Sequence, residues 1–180
     1  MNRKFSQLAS RGRLLAATAL GVAMLAAPAV ALAATAGPAA PAIRNCSASH
    51  TLVWFAEAPN ATAGTVFYPV EFTNLGGICK LRGFPRVAAT GRTGNKIGPF
   101  AARSGGRIRT IVLRHNQTAH AVLGIVEAGN IPGCHMRTAF GLRVNPPGQR
   151  RQDTATSVFT ACTNRRNLNI SPVRRGIGVP

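Results

Sequence analysis

Residues 65–73 read TVFYPVEFT, and this stretch decides the fold class. Val66, Tyr68, Val70 and Phe72 alternate with Phe67, Pro69, Glu71 and Thr73. A period of two in β-branched and aromatic residues marks a strand with one face against a core. Proline cannot donate to a ladder, so Pro69 predicts that this strand lies at an edge or is bulged there. Glu71 stands opposite the apolar set and is expected on the surface.

The same pattern recurs on both sides. Thr51–Glu57 alternates with Leu52, Trp54 and Ala56 on one side, and Glu57 is expected to be solvated. Asn74-Leu-Gly-Gly77 reads as a turn, after which Cys79–Gly83 resumes. Arg86–Thr90 and Ile97–Ala101 flank Gly91-Arg-Thr-Gly94, which predicts a hairpin. Arg107–Leu113 and Thr118–Val126 flank Arg114-His-Asn-Gln117, and the second carries Ala119, Ala121, Leu123 and Ile125 on one side. Phe140, Leu142 and Val144 alternate before Pro146-Pro147-Gly148, and Ser157–Cys162 and Leu168–Val173 close the pattern. No convincing helical stripe interrupts it. Many short strands with Gly- and Pro-rich turns predict an all-β protein, an antiparallel β-sandwich of about seven to nine strands.

Upstream of the strands, Arg3, Lys4, Arg11 and Arg13 precede an apolar run from Leu14 to Ala33, and Ala31 and Ala33 supply an Ala-x-Ala exit. That order reads as a secretory signal peptide over residues 1–33. A membrane anchor is the competing reading, and Pro28 with the small-residue exit argues for cleavage, leaving no stable transmembrane span. Residues 34–45, ATAGPAAPAIRN, read as a flexible leader, 46–175 as one domain and 176–180 as a tail. The 180-residue chain carries 22 Lys and Arg against four acids, a formal charge of +18, and cleavage after Ala33 leaves +14.

An exported chain with Cys46, Cys79, Cys134 and Cys162 is expected to form two disulfides. Three pairings are possible. Proximity along the chain favours Cys46–Cys79 and Cys134–Cys162, each closing a loop worth roughly 3–4 kcal/mol in the chain-entropy model. Zinc ligands come in close pairs, whereas these cysteines are 33, 55 and 28 positions apart.

Cys46, Gly64-Thr-Val-Phe-Tyr-Pro-Val-Glu-Phe-Thr-Asn74, Cys79-Lys-Leu-Arg-Gly-Phe-Pro85, Thr118-Ala-His-Ala-Val-Leu123, Gly141-Leu-Arg-Val-Asn-Pro-Pro-Gly148 and Cys162 together form a recognisable series. It resembles the exported bacterial domain family DUF4232, from about Cys46 to Val173. The resemblance implies an immunoglobulin-like sandwich in a secreted or envelope-attached protein, supports Cys46 and Cys79 as partners, and brings no catalytic residues. One departure is His115-Asn116-Gln117, where related sequences often show Pro-Gly. Asn tolerates a left-handed backbone, so the turn survives.

Catalytic chemistry has few candidates. Glu57, Glu71, Glu127 and Asp153 are the only acids, and His50, His115, His120 and His135 form no metal-binding unit. His120 alternates with the apolar side of its strand and is expected to be exposed. No phosphate-binding loop or nucleophile motif occurs, so neither a catalytic residue nor a cofactor is assigned.

The charge is the feature that calls for a function. Arg150-Arg151, Arg165-Arg166 and Arg174-Arg175, with Arg143, are the candidate anion-binding residues, and Arg103, Arg107 and Arg109 form a second group. A coding bias toward Arg, Ala, Gly and Pro is the bland alternative, although it does not explain the scarcity of acids. The leading expectation is a non-enzymatic secreted binding domain. It would present a basic face to an anionic cell-envelope polymer, a lipid headgroup or an acidic protein. A protein-interaction module with merely solubilising charge is the second reading, and an enzyme of unrecognised type the third. Nucleic acid is disfavoured as a physiological partner. Export argues against it, and Trp54 and Tyr68 sit in apolar strand patterns where core packing competes with base stacking.

Overall fold

The computed structural model describes residues 41–56, 60–150 and 153–178. The expected signal peptide, most of the leader, Glu57 and Arg151 lie outside the described residues. Thirteen strands follow in chain order among the described residues: β1 (Thr51–Phe55), β2 (Asn60–Thr62), β3 (Thr65–Asn74), β4 (Cys79–Arg82), β5 (Arg86–Thr90), β6 (Lys96–Ile97), β7 (Ala102–Arg103), β8 (Thr110–Leu113), β9 (Thr118–Val126), β10 (Met136–Asn145), β11 (Asp153–Cys162), β12 (Leu168–Ile170) and β13 (Arg174–Arg175).

One sheet has the order β1, β3, β9, β12, β7, with β2 beside β3 and β13 beside β9. A second runs β11, β10, β5, β6, and β4 pairs with β8 alone. The pairings are antiparallel except β12 with β7, which is parallel over two residue pairs. The count exceeds the expected seven to nine because the flanks of the first sheet are broken. β1 and β2 share one side of β3, and β12 and β13 share one side of β9.

The core is one cluster fed by all three sheets. Val70 and Phe72 of β3, Ala121 and Leu123 of β9, Leu81 of β4, Leu113 of β8, Val87 of β5 and Leu142 of β10 meet in it. The predicted alternation of β3 and β9 is therefore the core face of an antiparallel β-sandwich. Cys46 pairs with Cys79 and Cys134 with Cys162. The first disulfide sits where Cys46 N–H donates to Lys80 O at 3.0 Å, stapling the entry of the domain to β4. Asn116 takes a φ of 61°, the left-handed turn expected of it.

Several expectations are corrected. β3 is not an edge strand, because β9 pairs with it throughout and β1 and β2 cover the other flank. Pro69 is tolerated where β1 has ended and β2 has not begun. Its carbonyl accepts from Ala56 N at 3.3 Å, so its ring nitrogen faces the same break. In β1 the faces are reversed. Val53 and Phe55 pack on the core, whereas Leu52 is 49% exposed and Trp54 Nε1 donates to Thr73 Oγ1 at 3.0 Å on the outer face. β1 is apolar on both faces, so alternation could not say which one turns inward. Phe140 leaves the Leu142 and Val144 face because the register with β11 shifts between Ala139 and Gly141.

The largest correction is Glu71. It lies on the outer face of β3, in register with Trp54 of β1 and His120 of β9, yet its exposure is 0%. Residues 176–178, expected as a free tail, cross that face. Gly178 N donates to Glu71 Oε1 at 2.8 Å, and the ring Nδ1 of His120 donates to Gly176 O at 2.8 Å, which leaves His120 half-buried instead of exposed. A Cβ at Gly178 would stand 2.8 Å from Pro69 Cβ and 3.0 Å from the His120 ring, so only glycine allows this approach. Glu71 Oε2 is buried with no hydrogen-bond partner.

Burial pushes the Glu71 carboxyl up from its ordinary value of 4.5, while the Gly178 N–H and His120 pull it partly back. The folded protein thus keeps the Glu71 proton to higher pH than the unfolded chain. Folding stability is greatest below the unfolded value and falls as pH rises through the raised folded value. Urea unfolding across pH should show wild type losing stability relative to Glu71→Gln as pH increases past 4.5, with the two converging in acid. Separately, Cys134→Ser with Cys162→Ser should lower the unfolding free energy by about 3 kcal/mol, read from urea midpoints at constant slope.

Candidate anion-binding cleft

Two separate segments converge beside the crossing of residues 176–178. The first leads into β8 and carries Arg107 and Arg109. The second is β13, which carries Arg174 and Arg175 and pairs with His120 and Ala119 of β9. Val173 N donates to Gly83 O at 2.9 Å and fixes the approach of β13 to the end of β4. Gly106 has a φ of 72°, and a Cβ there would meet Pro172 Cγ at 2.9 Å. The close passage of the two segments therefore requires glycine at that point.

Between them lies a cleft of about 600 Å³ lined by Arg107, Arg109, Thr110, Ile111, Val173, Arg174 and Arg175. Ile111 and Val173 are buried and form an apolar floor. Thr110 contributes a hydroxyl. No carboxylate is among the described residues that line the cleft. Four arginines line one cleft with an apolar floor, and an anion held between arginines accepts paired, charge-assisted N–H bonds. Chemically the arrangement suits phosphate or carboxylate groups.

The remaining predicted arginines do not join it. β10 and β11 pair from Met136 with Cys162 to Val144 with Asp153. Arg165 and Arg166 follow Cys162 in an exposed turn, whereas Arg150 lies in the loop at the opposite end of this hairpin, about 30 Å away at the usual strand rise. Arg143 is half-buried on the face of β10 opposite Leu142 and Val144, and Arg151 is outside the described residues. Of the second group, Arg103 lies over the Phe84 ring at 5.5 Å. One predicted doublet therefore lines a cleft with two members of the other predicted group, while Arg150 and the Arg165-Arg166 pair lie at opposite ends of the hairpin.

A second opening of about 570 Å³ is bounded by Ala61, Val66, Ile125, Met136 and Phe159, with Glu127 at its margin. Its walls are mostly apolar. Among the described residues no group of three or more His, Cys, Asp or Glu is arranged to hold a metal ion. His50, His115 and His135 are exposed, while His120 is engaged with Gly176.

The two disulfides fit an oxidising, extracytoplasmic environment. No described helix is long and apolar enough to cross a membrane. No curated protein and no solved structure matches the chain. A family model, Domain of unknown function (DUF4232), matches residues 46–174, from the first cysteine to the first arginine of β13. That span holds both disulfides and every sheet, and the chain belongs to the DUF4232 family.

Proposed function

We propose that this is an exported, non-enzymatic binding domain whose cleft of Arg107, Arg109, Arg174 and Arg175 takes the charged groups of an anionic cell-envelope polymer. The carrying observation is that four arginines from two segments line one cleft with no carboxylate among its described lining residues. The signal-like residues 1–33 and the two disulfides support export. The surplus of basic residues over the whole chain adds long-range attraction, which salt weakens. Lipid headgroups and acidic proteins carry the same phosphate or carboxylate chemistry. Immunoglobulin-like topology remains part of the reading through the family resemblance.

A second reading, a protein-interaction module, draws on β11. It is the outer strand of its sheet, and Val158 on it is 69% exposed. A free edge is a template for pairing with another chain.

The test is binding of the oxidised protein to immobilised polyphosphate, to polyglutamate and to anionic vesicles over a salt series. Replacing Arg107, Arg109, Arg174 and Arg175 by Gln should weaken binding roughly a hundredfold, through loss of charge-assisted hydrogen bonds. Replacing Arg150, Arg165 and Arg166 should weaken it far less. Equal effects of the two sets would overturn the cleft and leave only diffuse charge. Binding that resists salt would favour the β11 reading.

A further inference from the structure

The cleft has two halves, and they are anchored differently. Arg107 and Arg109 lead directly into β8. Arg174 and Arg175 sit on a strand of two residues, separated from β12 by Ser171, Pro172 and Val173. A two-residue strand contributes little by itself. Its upstream anchor is the bond from Val173 N to Gly83 O, and its downstream anchor is the crossing over Glu71.

Three hydrogen bonds make that crossing. Gly176 N donates to Thr118 O at 3.0 Å, His120 Nδ1 donates to Gly176 O, and Gly178 N donates to Glu71 Oε1. Two of the three use titratable side chains, and both of these residues lie in one cross-strand row with Arg174, Glu71 pairing with His120 and His120 with Arg174. We infer that Glu71 and His120 are positioning residues that clasp residues 176–178, hold Arg174 and Arg175 at the cleft, and release them as Glu71 ionises. The inference rests on the anion-binding reading for its purpose, while the clasp itself rests on separate geometry.

The charge balance gives the direction. When protonated, Glu71 is neutral and still offers an oxygen to the Gly178 N–H. When ionised, it is a carboxylate with a single backbone donor and a buried, unpartnered Oε2. A carboxylate in that state gains from water, and water reaches it by displacing residues 176–178. The charged or titratable group facing it among the described residues is His120 of β9, with Arg174 of β13 one strand further along the same row. β1 presents Trp54, which carries no charge. Ionisation of Glu71 thus loosens the cleft for anions as pH rises. The Glu71 contribution is isolated by Glu71→Gln, which keeps an acceptor oxygen and cannot ionise.

The experiment is amide hydrogen exchange at Gly176 and Gly178 in the oxidised protein, corrected for intrinsic rates, from about pH 4 to about pH 8, alongside polyphosphate affinity. In wild type, protection should fall by about tenfold or more across this range, with affinity falling in parallel. In Glu71→Gln, protection should stay level and affinity should fall less. Gly178→Ala, whose Cβ meets Pro69 and His120, should leave residues 176–178 unprotected at every pH and weaken polyphosphate binding. Constant wild-type protection, or the same fall in Glu71→Gln, would overturn the clasp. Protection that shifts as expected with no polyphosphate binding at any pH would uphold the clasp and overturn the anion-binding reading.

Discussion

The fold depends on the pairing of β3 with β9. Nine residue pairs, from Thr65 with Val126 to Thr73 with Thr118, set one antiparallel register through the middle of the larger sheet. That register points Val70, Phe72, Ala121 and Leu123 into the core and turns Glu71 and His120 together onto the other face. A slip of one residue would exchange the two sets, putting a carboxylate in the core and phenylalanine on the outside. The flanking strands then take their positions from this pair. β1 and β2 line up on β3, and β12 and β13 line up on β9, so the arginine cleft inherits its geometry from a ladder it does not belong to.

Much of this is written plainly in the amino-acid order. Alternation in residues 65–73 and 118–126, the Gly91–Gly94 hairpin, the neighbouring cysteine pairs and the left-handed Asn116 are all local signals, and each has its counterpart in the structure. The misreadings share one cause. A period of two tells that a strand has two faces; it does not tell what lies over each. β1 is apolar on both sides, so its inward face depends on register with β3. The polar side of β3 looks solvated until a segment more than a hundred residues away is laid across it, as the Gly178 bond to Glu71 does. Pro69 looked like an edge residue because a single flank made of two strands, with a gap between them, has no local signature.

The arginines teach a related lesson. Doublets are conspicuous in a sequence, but adjacency along the chain says nothing about convergence in space. The long β10 and β11 hairpin carries Arg150 and the Arg165-Arg166 pair to opposite ends. Arg107, Arg109, Arg174 and Arg175 meet because β13 docks on β9 while the approach to β8 passes over Pro172. The readable hint was glycine. Gly106 stands just before the first pair and Gly178 shortly after the second, and each marks a place where backbone comes too close for a side chain.

The crossing of residues 176–178 also orders events in time. Glu71 belongs to one of the first strands to be made, and its cover is among the last residues of the domain. Until residues 176–178 have been made, the Glu71 carboxylate has no Gly178 N–H to accept from. The arginine cleft is completed by the same stretch of chain, so neither it nor the cover over Glu71 exists before residues 174–178 have been made.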